Sequence, residues 1–330
     1  MPLGAWGKVK KGTDKSTSAP VAIKVIHKRR LKRKLKDGID RVYQEYALVR
    51  SLQHPNILKY HNLIETDYQE DHVDNMVLSD DSSSSIASIS SSPDAKDRDG
   101  KLYLVMEWLG DGLPLSEWLL SGETSKLNRT EYYAKVRSIL KQLLSALAYL
   151  AQKKISHHDI KLENVIYNEK LDHVTLIDFG IAEQCHVLVD DESKEPMAFS
   201  GFGTPAYQPP EVIMRKSPSE PFAGHRADMW SLGVLAYQLA KRHPTLPFEA
   251  DSIYAVLERI ISSKRPSFAG IKSVELIDLI SRLLERSTAL RPTAAQALCH
   301  PFMQNLEFAE KDAQFNWFDG RPLWRKFLCM

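Results

Sequence analysis

Four polar side chains and their spacing carry the first chemical signal. His157-His-Asp159-Ile-Lys161-Leu-Glu-Asn164 is followed, fourteen residues after Asn164, by Asp178-Phe-Gly180. Two strand-like runs, ENVIY (163–167) and VTLI (174–177), lie across that interval. Two short strands joined by a turn bring Asp159, Asn164 and Asp178 to one edge. There Asp159 can take the proton of a hydroxyl, while Asn164 and Asp178 offer the oxygens that magnesium prefers when it bridges phosphates. Upstream, Lys24 ends Val21-Ala-Ile-Lys24, a strand whose alternate residues are apolar, so its charge calls for a partner. Glu45 on the next helix can supply it, and an ion pair there would hold the ammonium against α- and β-phosphates. A lysine at the sheet margin fits the same four residues. Gly4-Ala-Trp-Gly7-Lys-Val9 reads as the end of a glycine-rich loop whose amides approach phosphate, with Val9 opening the returning strand above a base. Ordinary loops also carry two glycines three apart.

The elements that must position these groups change character along the chain. Residues 20–26 (PVAIKVI) and 101–109 are short, apolar and β-rich, and between them Val42 to Leu52 carries apolar residues at helical spacing. After Trp118 helical stretches dominate, at 132–152, 227–240, 252–262 and 274–285. The reading is α+β: a small strand-rich lobe, then a larger helical one. No internal repeat is visible.

Three further motifs complete the set: Gly203-Thr-Pro-Ala-Tyr-Gln-Pro-Pro-Glu211, Asp228-Met-Trp-Ser-Leu-Gly233 and Arg291-Pro-Thr293. With them the sequence resembles the eukaryotic-type protein kinase family, in the family's order from about Gly4 to Phe302. The resemblance implies the bilobal kinase fold, with an N-lobe and hinge over 1–109, a C-lobe over 110–302 and a tail over 303–330. It implies ATP and Mg2+ as cofactors and protein substrates. Lys24 and Glu45 form the strand-to-helix pair, Glu45 lying nine residues before His54. Asp159 is the catalytic base, Lys161 steadies the transferring phosphoryl group, and Asn164 and Asp178 ligate magnesium. Val9, Ala22 and Ile166 sandwich adenine; Met106 is the gatekeeper and Glu107, Trp108 and Leu109 the hinge. Gly4 and Gly7 cover phosphate. Arg291 pairs with Glu211, and Asp228 braces the catalytic loop.

Smaller marks bear on substrate. Lys161 and Thr204 resemble the serine/threonine branch, and Glu163 matches a position that in basophilic kinases meets a substrate arginine. Gln238 holds another such acidic position without a charge. VYQEYALVRSLQHPNIL faintly resembles the calcium/calmodulin-dependent protein kinase kinases of the calmodulin-kinase-like group. Two departures stand out. The pattern GxGxxGxV needs a glycine where Pro2 stands, with a strand before it, which motivates the alternative of a pseudokinase or scaffold. His158 stands where arginine would fork permanently onto an activation-loop phosphate; an ordinary histidine is mostly neutral at cytosolic pH. Activation-loop phosphorylation should then matter less. The loop's own Asp190, Asp191, Glu192 and Glu195 read as a solvated acidic stretch before a built-in phosphate mimic.

With 43% hydrophobic and 26% charged residues, the 330-residue chain can build full cores. No apolar run reaches membrane-helix length and no signal peptide is visible, so the expectation is cytosol or nucleus, with neither a membrane nor a nucleic-acid partner. Cys185, Cys299 and Cys329 are far apart and outside any CxxC, which argues for free thiols. The net charge of +2 conceals two blocks. Lys24 to Lys36 holds eight Lys or Arg and no acid, read as an exposed linker before a nuclear-import or anionic-surface patch. Thr66 to Asp99 holds nine acids and nine serines against two basic residues, and residues 66–99 are expected to form a disordered insert between adjacent strands. Its 79–92 serine cluster offers sites to a regulatory kinase. The tail aromatics Phe315, Trp317, Phe318, Trp324 and Phe327 either dock on the helical lobe or anchor a partner such as calmodulin.

Overall fold

The computed structural model describes residues 7–35, 37–66, 76–78, 100–187, 195–200, 203–262 and 265–305. It divides into two compact units: Met1–Gly112 with Thr175–Gly180, and Leu113–Val174 with Ile181–Met330. A single cut after Leu109 misses the return of 175–180. That piece joins the first unit because Leu176 bonds through its backbone to Asn56 and Leu58, at 2.8 and 3.0 Å.

The first unit contains β1 (Gly7–Asp14), β2 (Pro20–His27), α1 (Lys28–Lys34), α2 (Gly38–Arg50), β3 (Tyr60–Thr66), β4 (Met76–Leu78) and β5 (Lys101–Glu107). Its sheet runs β3-β5-β2-β1-β4, with antiparallel pairing throughout. Strand alternation sorts β2 into two faces. Val21 and Ile23 pack with Tyr103 and Val105 on one side, and Ile26 packs with Leu31, Val42 and Leu102 on the other. Lys24 shares the parity of Ala22 and Ile26, so it is carried on the α2 side and is buried there. On α2, Val42, Glu45 and Val49 form one buried stripe at helical spacing, which turns the Glu45 carboxylate inward.

Two expectations are corrected here. The basic run is a helix, α1, rather than an exposed linker: Leu31 joins the core, and Lys28, 5% exposed, pairs with Glu65. One leucine on a helical face is enough to dock the segment, with Lys28 buried beside the sheet and Arg30, Lys32 and Arg33 exposed. Within the insert, Met76–Leu78 forms β4, paired Gly12 to Leu78 and Asp14 to Met76 along the edge of β1. An edge strand offers unpaired backbone groups, and this apolar triplet takes them up. The remainder, 67–75 and 79–99 with the serine cluster, lies outside the described residues.

The second unit contains β6 (Leu113–Pro114), α3 (Leu115–Leu120), α4 (Gly122–Lys126), α5 (Arg129–Gln152), β7 (Ile155–Ser156), β8 (Val165–Asn168), β9 (His173–Leu176), which runs on into the first unit, β10 (Glu183–Gln184), α6 (Pro210–Ile213), α7 (Gly224–Lys241), α8 (Ile253–Ile261), α9 (Val274–Leu283), α10 (Ala294–Leu298) and α11 (Pro301–Gln304). Small strand pairs β6-β8-β9 and β10-β7 flank the loops that carry chemistry. Asn128 and Glu131 form a capping box that starts α5 three residues before the apolar pattern does. In α7 every residue from Ala227 to Ala240 is buried, which makes it the central helix of its unit. Among the described residues no helix is long and apolar enough to cross a membrane. The tail aromatics, Asp190 to Glu192, Gly4 and Cys329 lie outside the described residues; Cys185 and Cys299 are free thiols.

Candidate active site

In the first unit, strand register assembles a row of side chains on one sheet face. Val9 is opposite Lys24, Ala22 opposite Met106, and Met106 opposite Tyr60. Directly opposed residues share a face, so Val9 and Ala22 of the expected adenine residues, the gatekeeper and the lysine line one surface. Gly7 begins β1 opposite Ile26. Of the hinge, Glu107 accepts from the Lys59 amide at 2.7 Å and Leu109 accepts from the Gly112 amide at 3.2 Å, while Trp108 lies under the Lys11 ammonium.

Glu45, on α2, lies on the same side of the sheet as that row. Burial pushes its carboxyl up, the charge of Lys24 and a hydrogen bond from the Tyr60 hydroxyl pull it down, and Asp178 pushes it up again; the net is above the ordinary value. The hydrogen bond is Tyr60 Oη donating to Oε1 at 2.5 Å, whereas Lys24 acts on Glu45 through charge. Sequence reasoning missed Tyr60, since nothing in KYHNLIE marks its tyrosine. Asp178 adopts φ 63°, a left-handed conformation uncommon outside glycine, and a Cβ on Gly180 would lie 3.3 Å from its Oδ1.

In the second unit the loop bearing Asp159 hangs from α7. Both Asp228 oxygens accept backbone amides, from His157 and His158, each at 2.8 Å. Asp159 then receives four donors: Thr204 N–H and Oγ1–H on Oδ1 at 3.2 and 2.7 Å, Lys161 Nζ on Oδ2 at 2.6 Å, and Asn164 Nδ2 on Oδ2 at 2.8 Å. Burial alone would raise this carboxyl, but the bonds from Lys161 and Thr204 and the charges of Lys161 and His157 outweigh it, so it lies below the ordinary value. Lys161 also donates to Thr204 Oγ1 at 2.8 Å. Gly203 has φ 137°, and a Cβ there would come within 2.5 Å of the His158 carbonyl, so the approach of Thr204 requires glycine.

Asn164 tests the fit of a metal. Its Nδ2 is spent on Asp159, and its buried Oδ1 has no hydrogen-bond partner among the described residues. A buried amide oxygen left open in this way costs free energy unless something ligates it, and a hard cation suits it. Asp178, the other expected ligand, lies in the first unit.

The remaining site residues serve other ends. Glu163 is exposed and Ile166 half-buried opposite Pro114. Gln238 is buried, accepting from the Tyr207 hydroxyl and donating to the Pro244 carbonyl, each at 2.8 Å, so it is committed to the fold. Arg291 forks onto Glu211 at 2.7 and 3.1 Å, and His300 meets Asp278 at 2.9 Å. The second residue sequence reasoning missed is Glu183, which lies five positions after Asp178 without any motif around it.

Comparison with known proteins matches the family described as protein kinase domain over residues 3–303. Similar proteins include a serine/threonine-protein kinase stk11 homolog of Dictyostelium discoideum, 28% identical over 91% of this chain and 43% of the relative. Serine/threonine-protein kinase PLK4 of Drosophila melanogaster is 31% identical over 91% of this chain and 32% of its own length. Calcium-dependent protein kinase 3 of Plasmodium berghei (strain Anka) is 30% identical over 95% and 46%. The chain thus spans less than half the length of each.

Proposed function

The chain belongs to the protein kinase family, and from that premise we propose that it is an active serine/threonine kinase that transfers the ATP γ-phosphate to protein hydroxyls. The observation that carries the reading is the Asp159 network. Asp159 accepts and orients the substrate hydroxyl, exchanging the donor that Thr204 now supplies. Lys161 holds its charge between Asp159 and Thr204, where negative charge develops during transfer. Asn164 fixes Asp159 through Nδ2 and leaves Oδ1 for magnesium. Asp178 is the second metal ligand, and Lys24 the phosphate contact held by Glu45. When bound, Mg-ATP supplies the electrophilic phosphoryl group; the protein supplies position and charge.

The finer reading follows the same residues. The exposed Glu163 favours a basic residue in the substrate. A calcium or calmodulin input is supported by the kinase-kinase resemblance and by the name of the Plasmodium relative, a calcium-dependent protein kinase. A second kinase acting on serines 79–92 is the matching acidic-site input, and the compartment is the cytosol or nucleus. Radiolabelled phosphate transfer to a peptide library, with Asp159→Asn as control, tests the activity. Thermal shift with ATP should require magnesium for its full size. A folded protein that neither binds ATP nor transfers phosphate would support the scaffold alternative.

A further inference from the structure

Glu183 makes bonds that the proposed transfer does not yet use. It lies in β10 opposite Ser156 of β7, next to the loop that carries Asp159. Its carboxylate accepts the Phe199 amide at 3.1 and 3.2 Å and the Ser200 amide at 2.8 Å, with His158 Nε2 at 3.6 Å. Burial raises this carboxyl, but His158 and the Ser200 and Phe199 donors outweigh it and bring it down to about 2. The same segment is fixed by Ala198 pairing with Phe222 at 2.8 and 3.0 Å and by Arg215 donating to the Phe199 carbonyl at 2.7 Å. Three residues after this segment come Gly203 and Thr204, whose hydroxyl reaches Asp159.

We propose that Glu183 is a positioning residue, a built-in anion that holds residues 199–200 in the place a phosphate would otherwise serve, and that Ser200 is a modification site at which phosphate opposes activity. Two successive amides aimed at one point bind one anion well. A phosphate on Ser200 would bring a second charge of about -1.5 to -2 onto donors that Glu183 already occupies. The charged and titratable groups facing the segment are Glu183, His158 and Arg215; Arg215 is held through Nη2 on the Phe199 and Pro218 carbonyls, its Nε having no hydrogen-bond partner among the described residues, so at the two amides themselves a phosphate meets the charge of Glu183. Like charge therefore meets like charge.

This inference rests on the kinase reading for its activity arm, and amide exchange keeps the two separable. Glu183→Gln preserves shape and removes the charge. It should accelerate hydrogen exchange at Phe199 and Ser200, raise the peptide KM about tenfold, the scale of one lost charge-assisted bond, and leave the ATP KM unchanged. Glu183→Asp should recover part of that loss. Ser200→Glu should reduce peptide kcat/KM in the parent chain and increase it in the Glu183→Gln background, where the amides are vacant. Such a reversal of sign is not expected of a merely structural glutamate. Unchanged exchange in Glu183→Gln, or equal effects of Ser200→Glu in both backgrounds, overturns the proposal. If the parent chain transfers no phosphate, the exchange of the two amides in all four proteins still decides whether Glu183 is the anchor.

Discussion

Glu45 and Glu183 are the same side chain, both largely removed from water, and their carboxyls shift in opposite directions. Glu45, in the first unit, has one hydrogen-bond donor, Tyr60, and the charge of Lys24 set against burial and Asp178, and it ends above its ordinary value. Glu183, in the second, accepts two backbone amides and has the His158 imidazole 3.6 Å away, and it falls to about 2. Asp159 in the same unit follows Glu183, with four donors and a lowered carboxyl. Glu45 is the more deeply buried of the two and has the fewer donors, and both differences favour its protonated form. In the second unit the anions are fixed parts of the frame; in the first, the carboxylate is held by so little that each partner matters.

The largest effects come from removing the cation or the anion on which each region depends. Lys24→Met deletes the charge facing Glu45 and keeps the aliphatic stem, so phosphate transfer should vanish with the fold intact. Asp159→Asn should lower turnover by roughly 10²-fold or more, the scale of a lost general base. Steady-state kinetics beside circular dichroism checks both, and wild-type turnover in Lys24→Met would remove that lysine from the site.

A smaller effect sharpens the contrast in donor number. Tyr60→Phe strips the one hydrogen-bond donor from Glu45 and should cost about 1–3 kcal/mol, because a buried acceptor loses its partner. Thr204→Val leaves Asp159 with Lys161, Asn164 and the Thr204 amide, so its stability cost should be the lesser of the two. Chemical unfolding of both variants decides, and a larger loss in Thr204→Val would break the comparison.

The two glutamates should also respond to pH with opposite sign. Between about 2 and the ordinary 4.5 the folded Glu183 binds fewer protons than the unfolded chain, so its stabilisation is complete above 4.5 and is lost as pH falls toward 2. Folded Glu45 binds more protons than the unfolded chain above 4.5, so its contribution declines as pH rises through that value. Thermal unfolding against pH should show Glu183→Gln flattening the acid side and Glu45→Gln flattening the side above 4.5. The same slopes in both variants would contradict the opposite assignments.

How far the sequence reveals these sites depends on how local they are. Asp159, Lys161 and Asn164 fall within six residues, so the loop that gathers them is written in one motif. Glu45 is legible because Val42 and Val49 mark the buried stripe of α2. Tyr60 and Glu183 are not, because their bonds span fifteen and sixteen residues and depend on how β3 meets α2 and how β10 meets the 199–200 segment. The basic helix α1 stays hidden for another reason: seven residues with one buried leucine have the composition of a solvated run. Strand β4 is hidden inside an acidic block whose average outweighs three apolar residues.

The smallest effect should come from the insert, and strand register shows why. Thr66 ends β3 directly opposite Lys101, the start of β5, and the Thr66 hydroxyl donates to the Lys101 carbonyl at 3.4 Å. Adjacent antiparallel strands need only a two-residue loop, for which Asn-Gly is the favoured pair. Gly100 already stands before Lys101 with φ 75°, the left-handed conformation such a turn demands. Replacing residues 67–99 by a single asparagine therefore creates Asn-Gly between the paired ends. Shortening the loop lowers closure entropy slightly in the protein's favour, while removing β4 uncovers the edge of β1. Within the described part of the segment, β4 pairs with Gly12, Thr13 and Asp14 and not with Lys24, Glu45 or Tyr60, so peptide turnover should stay within about twofold of the parent, since surface changes of this kind usually stay within about 0.5 kcal/mol. Turnover and melting temperature of the shortened chain, measured together, check this outcome. A collapse of both would mean that β4 supports the face bearing Lys24, and that the first unit depends on its outer edge as well as on its few buried partners.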